Sequence, residues 1–256
     1  MKRHKAVYGC VALAVLIMLL GSLLACGGAA PAEEATGGIQ FPDKVLEGVI
    51  RDLLAMYGGP IQAADLLRIT QISGARSGIK DLTGVEYCTA VNQFYLDGNE
   101  IVDVTPLSQL TQVTRIWMSQ NKVKDISPLV DLTNLVGLSI GDAVEDISVV
   151  GGMTKLKDLS VSGPFSDISA VANLTALTSL NVENSQVSDL SVLATDFEKL
   201  TRLTLANCPV SDIKPLVDNP NMKTGVWINL KGCPLNEKSI NEYIPALQKR
   251  GVIIAR

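Results

Sequence analysis

Seven tetrapeptides share one frame and return at a nearly constant interval. IKDL begins at Ile79, IVDV at Ile101, VKDI at Val123, VEDI at Val144, FSDI at Phe165, VSDL at Val187 and VSDI at Val210, at intervals of 22, 22, 21, 21, 22 and 23 residues. Each carries an aspartate two places on: Asp81, Asp103, Asp125, Asp146, Asp167, Asp189 and Asp212. A period of roughly 20 to 30 residues predicts a solenoid, in which one period is one turn of a coil. No single turn buries its own apolar face, so the turns must stack. Residues 121–140, NKVKDISPLVDLTNLVGLSI, fit neither a two-residue nor a 3.6-residue period. Their aliphatics line the cross-section of a coil rather than one face of a helix or strand.

A second aliphatic frame precedes each tetrapeptide. Val91, Phe94 and Leu96 recur as Val113, Ile116 and Met118, as Leu135, Leu138 and Ile140, and onward to Leu200, Leu203 and Leu205. The last two positions alternate with polar ones, which predicts a short strand with one buried face. Three residues further on stand Asn99 and Asn121, and later Cys208 and Cys233. An Asn amide can serve backbone donors and acceptors at a buried corner. Pro106, Pro128 and Pro215 fall early in the return segments, where a fixed φ suits a helical first turn. This frame resembles the leucine-rich repeat, LxxLxLxxN/CxL, and the added IxDIxPLxxLTxL segment resembles its bacterial internalin-type subclass. The resemblance implies an α/β solenoid, a right-handed superhelix of about eight coils over residues 69–235 with a parallel sheet on its concave face. It also implies an N-terminal helical cap over 41–68 and a C-terminal cap over 236–256. Two coils, GDAVEDI from Gly141 and SGPFSDI from Ser162, are one residue short and lack the corner Asn; Ser185 replaces it in the next coil.

A solenoid needs its end layers covered. Val45, Leu46, Val49, Ile50, Leu53 and Leu54 are expected on one helical face, with Pro42 and Asp43 at the helix start and Gly58–Gly59 as its stop. Residues 230–254 are expected to hold a helix broken near Pro245, ended by Gly251 and followed by a short apolar strand.

The amino terminus has the form of an export address. MKRHK is basic, the next twenty residues are apolar and uncharged, and LLAC spans Leu23 to Cys26. LLAC resembles the lipobox of bacterial lipoproteins. That implies a signal peptide over 1–25, acylation of Cys26, and an extracytoplasmic protein held to the bacterial cell membrane by that lipid alone. The apolar run is also nearly long enough to be an uncleaved anchor. Residues 26–40, rich in Gly and small polar residues, read as a flexible tether.

Charge and composition exclude several functions. Removing Lys2, Arg3 and Lys5 with the first 25 residues leaves 19 basic against 26 acidic residues, a net −7. Without a dense basic run, nucleic acid is not an expected partner. The sole histidine is His4, so the remaining chain has no histidine nucleophile pair and no histidine metal ligand. No cofactor, metal or catalytic residue is expected. The periodic aspartates read as structural, bonding backbone at the start of each return segment. Cys88 occupies an aliphatic position and reads as buried. Cys208 and Cys233 stand at one corner position in successive coils, close enough for a disulfide but with side chains pointing parallel, which favours two thiols.

The exposed strand positions form three columns. The first runs from Gln71 through Gln93, Arg115, Gly137, Asp158, Ser179 and Arg202 to Trp227. The second includes Tyr95, Trp117, Ser139, Ser160 and Asn181, and the third includes Asp97, Gly141 and Glu183. Tyr95, Trp117 and Arg115 are expected to form a binding patch, with Arg115 placed for cation–π contact. Asp97, Asp158, Asn181, Glu183, Arg202 and Trp227 complete the candidate ligand face, and the Gly, Ser and Thr of the middle coils make a shallow floor. The resemblance implies a non-enzymatic surface module that binds a protein, peptide or glycan, as adhesins do. Two other readings stand beside it: a spacer without specific ligand, and an envelope enzyme acting on glycan through Asp97, Asp158 and Glu183.

Overall fold

The structure is a computed structural model, and it describes residues 37–256 except Asp142 and Asp196. The expected signal peptide, Cys26 and most of the tether lie outside the described residues. Nine parallel strands form one sheet in chain order: β1 (Gln71–Ser73), β2 (Gln93–Tyr95), β3 (Arg115–Met118), β4 (Gly137–Ile140), β5 (Asp158–Val161), β6 (Ser179–Asn181), β7 (Arg202–Thr204), β8 (Trp227–Asn229) and β9 (Ile253–Ala255). Eight come from coils. The ninth is the apolar strand of the C-terminal cap, which joins the sheet beside β8.

The return segments explain the uneven aliphatic spacing. Val104, Leu107, Leu110, Val113 and Ile116 are three apart and all buried, as are Val123, Ile126, Leu129, Leu132, Leu135 and Leu138. Backbone bonds follow the same step: Leu107 N–H to Val104 O, Leu110 N–H to Leu107 O and Val113 N–H to Leu110 O. A three-residue step is 3₁₀ geometry, in which residues i and i+3 eclipse. Short 3₁₀ helices accordingly occupy the return segments, from Val85–Tyr87 to Ser191–Ala194, with a five-residue α-helix, α3 (Lys214–Asp218), in the coil that enters β8.

Each return begins at its aspartate. All seven carboxylates accept the backbone N–H two residues on, at 2.7 or 2.8 Å, as Asp125 does from Ser127 and Asp212 from Lys214. The recurrence of aspartate is thus a turn requirement repeated seven times. For Asp125 and Asp167 these backbone bonds, supported by the Ser127 and Ser169 side chains, lower the carboxyl pKa.

Corner residues bind neighbouring coils together. Asn99 Oδ1 accepts from the backbone of Ser77, Gly78 and Ile79, and its Nδ2 donates to Gly74 O and Leu96 O. Asn121 does the same between its own coil and the previous one. Cys208 and Cys233 take this place with thiol donations to Val182 O and Leu205 O of the previous coil, each 3.1 Å, and the Cys208 sulfur also shares a bond with Ser185 Oγ. They are free thiols, each bonded to backbone in the corner rather than joined in a disulfide. Cys88 is wholly buried, and desolvation pushes its thiol pKa up to about 12.

The two short coils close by backbone approach. A Cβ on Gly141 would lie 2.5 Å from Ser162 Oγ and 2.8 Å from its N, and one on Gly163 would lie 2.2 Å from Val144 O. Both glycines have positive φ, 156° and 148°. A missing residue draws adjacent chains together, and only glycine fits between them. Phe165, buried where other coils carry Ile or Val, adds volume to the shorter loop.

The N-terminal cap is α1 (Lys44–Leu54), followed by the short α2 (Ala63–Leu66). Asp43 caps α1, accepting from Val45 N and Leu46 N through Oδ1. Its Oδ2 accepts from Lys80 N and Asp81 N, so one carboxylate fastens the cap to the first coil. Burial opposes ionisation, but these four donors outweigh it and the Asp43 pKa falls. The buried face is narrower than expected: Leu46, Ile50 and Leu54 are buried, whereas Val45 and Leu53 are 41% and 44% exposed. The helix also stops earlier than expected. Ala55 takes the left-handed conformation at φ 55° and its N–H bonds Arg51 O and Asp52 O, ahead of the glycine pair. Backbone bonds from Ala55 and Met56 to the last turn close that end.

In the C-terminal cap the helix is continuous. A π-turn, Ser239–Tyr243, leads into α4 (Ile244–Lys249) with Pro245 in its first turn. A proline clashes with the carbonyl four residues back, and the wider turn relieves it without a break. Gly251 then turns the chain at φ 87° into β9.

Candidate functional site

The pairing register sets the columns residue by residue. Gln71, Gln93, Arg115, Gly137, Asp158, Ser179, Arg202 and Trp227 are successive Cα partners, and Ile253 extends the row. Ser73, Tyr95, Trp117, Ser139, Ser160, Asn181, Thr204 and Asn229 form the next. Because strand side chains alternate, both rows face away from the aliphatic core.

Trp117 and Tyr95 are register partners in adjacent strands, and the Trp117 indole extends toward the next strand, β4. A Cβ on Gly137 would lie 2.5 Å from Trp117 Cη2, so the benzo end of the indole rests on that glycine in the next coil. Tyr95 stays over its own strand and donates its hydroxyl to Gln93 Oε1 at 2.6 Å. Arg115 is exposed and stacks on neither ring. The cation–π contact of this face is elsewhere, between the Arg202 guanidinium and Trp227, 5.3 Å from the ring centroid. Gly137 was the sequence signal for this arrangement: it is the one position in its row where a bulky neighbour can lie flat.

Beside Trp117 the face sinks into an open hollow of about 320 Å³. Trp117, Asp97, Asp158, Ser139, Ser160 and Ser179 line it, over Leu138 and Leu159. Of the candidate residues the hollow thus brings together Trp117, Asp97 and Asp158. Tyr95, Arg115, Asn181, Glu183, Arg202 and Trp227 lie on the face but outside it. The three serines belong to the shallow floor expected of the middle coils, and they occupy one or the other exposed row.

The polar side chains are partly held. Asp97 Oδ1 accepts from Ser119 N at 2.9 Å, Ser119 Oγ and Ser139 Oγ share a bond of 2.6 Å, and Asn181 Nδ2 donates to Ser160 Oγ at 3.2 Å. Asn181 Oδ1 in turn accepts from Glu183 N. Asp97 and Asp158 stand three strands apart, about 14 Å across the sheet at the usual strand spacing, and are offset by a further four residues along the strand direction. Paired glycosidic carboxylates lie at most about 9.5 Å apart, so this pair does not match that geometry. Among the described residues, no three His, Cys, Asp or Glu side chains gather to hold a metal ion.

An uninterrupted parallel sheet of short strands, aliphatic three-step returns and an amide ladder at the corner define the leucine-rich repeat solenoid. The fold is similar to that of solved internalins. Internalin C2 of Listeria monocytogenes is 27% identical, with 70% of this chain and 92% of that chain covered at a TM-score of 0.55. An internalin, InlF, of the same organism is 23% identical, with 84% and 76% covered at 0.64. A leucine-rich repeat protein of Leptospira interrogans shares the fold at 13% identity, 75% and 62% coverage and a TM-score of 0.51. No family model matches the chain, and no curated protein does either.

Proposed function

We propose that this chain is a non-enzymatic binding module of the bacterial cell surface, held to the membrane through Cys26, that engages a protein partner on its concave face. The observation that carries this is the face itself: two rows of outward side chains in unbroken register, with Trp117 laid beside an open hollow. Exposed Trp, Tyr and Arg are the usual anchors of a protein interface, and Tyr95, Trp117, Arg115, Arg202 and Trp227 all sit here. The solenoid of internalins supports an interaction role outside the cytoplasm, and among the described residues no helix is long and apolar enough to cross a membrane.

Cross-linking on intact cells followed by mass spectrometry tests the reading. The native protein should yield a partner joined through the concave face, and the Trp117→Ala, Arg115→Ala double variant should lose it while its thermal midpoint stays nearly constant. Equal capture by both proteins would refute the interface.

A further inference from the structure

We infer that the hollow beside Trp117 receives one arginine or lysine side chain of the protein partner; the inference rests on the concave-face reading above. Three observations converge. First, Asp97 and Asp158 both border the hollow, and among the described residues neither takes part in an ion pair. Each accepts a hydrogen bond from a neutral donor only, Ser119 N for Asp97 and Thr178 Oγ1, at 3.4 Å, for Asp158. Their charge faces the space uncompensated. Second, the part-exposed indole of Trp117 forms a wall, and an aromatic face beside carboxylates attracts a cation that either group alone would hold poorly. Third, the surrounding charge pattern favours this sign. Asp158 lies in its row two coils from Arg115 and two coils from Arg202, about 10 Å each way. That distance is too long for pairing, so the row reads positive, negative, positive. An approaching acidic group is drawn to the flanks and a basic one to the centre. Among the lining serines, Ser139 shares a hydrogen bond with Ser119 outside the hollow and Ser160 accepts from Asn181, and their hydroxyl oxygens supply acceptors for guanidinium or ammonium hydrogens without adding charge.

Two indole N–H groups exist in the chain, those of Trp117 and Trp227. Nitrogen–proton correlation spectra therefore report on the hollow through one assigned signal, with Trp227→Phe fixing the assignment. The probes are N-acetyl-arginine methylamide, its uncharged citrulline counterpart and N-acetylglucosamine. The arginine probe should shift the Trp117 signal saturably, and citrulline should bind about tenfold more weakly. Asp158→Asn and Asp97→Asn should each weaken the arginine probe by about threefold, and added salt should weaken it further. Citrulline or the sugar binding as well as arginine, or no arginine shift at all, would overturn the inference. A hollow that fails this test while the Trp117 and Arg115 variant still loses its partner would leave the interface standing and remove only the cation.

Discussion

At the residue scale, the corner amides and the turn carboxylates do most of the specific work. Asn99 satisfies five backbone groups with one side chain. Asn99→Ala leaves several buried donors and acceptors unpaired, and should cost about 3 kcal/mol in urea unfolding. Asn99→Cys should cost less, since Cys208 and Cys233 show that a thiol keeps one bond to the previous coil. Equal losses for both would mean the amide matters only for its volume. The turn aspartates make the pH dependence. Asp125 and Asp167 have folded pKa values below the ordinary 3.8, because backbone N–H groups bind the ionised form. Their contribution is therefore complete above the unfolded value and disappears as pH falls through the lower folded values. The thermal midpoint should hold steady down to about pH 5 and drop below about pH 4. An Asp125→Asn, Asp167→Asn variant keeps the turn acceptor but loses the proton linkage, so its acid limb should be shallower. An unchanged limb would place the acid sensitivity elsewhere, with Asp43, Glu47 and Glu100 the other acidic groups whose pKa is lowered.

At the element scale, the devices that join one element to the next decide stability. Asp43 caps α1 and holds the first coil with its other oxygen. Asp43→Ala should cost about 2 kcal/mol, the upper end for an N-cap, because it removes both attachments. The short coils offer a sharper test. Gly163→Ala drives a methyl into the Val144 backbone and should cost about 3 kcal/mol. Gly152→Ala has nothing within 4 Å and should be nearly neutral by the same unfolding measurement. Much of this scale was legible in the sequence. The strands, the aspartate turns and the corner Asn follow from residues that chemistry restricts to few roles. The helix ends were less legible. Ala55 adopts a conformation that alanine does not favour while its N–H closes the last turn, and Pro245 sits in a helix that widens ahead of it rather than breaking. The three-residue step was visible in Val104, Leu107, Leu110 and Val113, but a helix-or-strand template passes over it. The hollow was half legible: Gly137 and the serines were readable as a floor, whereas the direction in which Trp117 would fall depends on side-chain packing across coils.

For the whole molecule, each coil touches only its neighbours, so stability is a sum of coil and interface terms along one dimension. The caps matter because they supply a neighbour where the series would otherwise end. Leu247 is fully buried in the C-terminal cap and Leu138 is fully buried in the fourth coil. Truncating either to alanine removes comparable apolar volume, about 3 kcal/mol of burial and cavity cost. The consequences should differ. Leu138→Ala lies between folded neighbours on both sides, so the array should still unfold together, with a lower midpoint and an unchanged denaturant slope. Leu247→Ala loosens the end, where β9 and β8 can separate while the centre holds, so the slope should fall and the transition broaden. Amide exchange gives the same distinction by position: in the Leu247 variant β8 and β9 should lose protection well before β3 to β6, whereas the Leu138 variant should lose protection along the full sheet. Uniform loss in both variants would mean that the nine strands behave as one cooperative body. The concave face would then transmit a ligand's effect from end to end, which a chain of locally coupled coils does not.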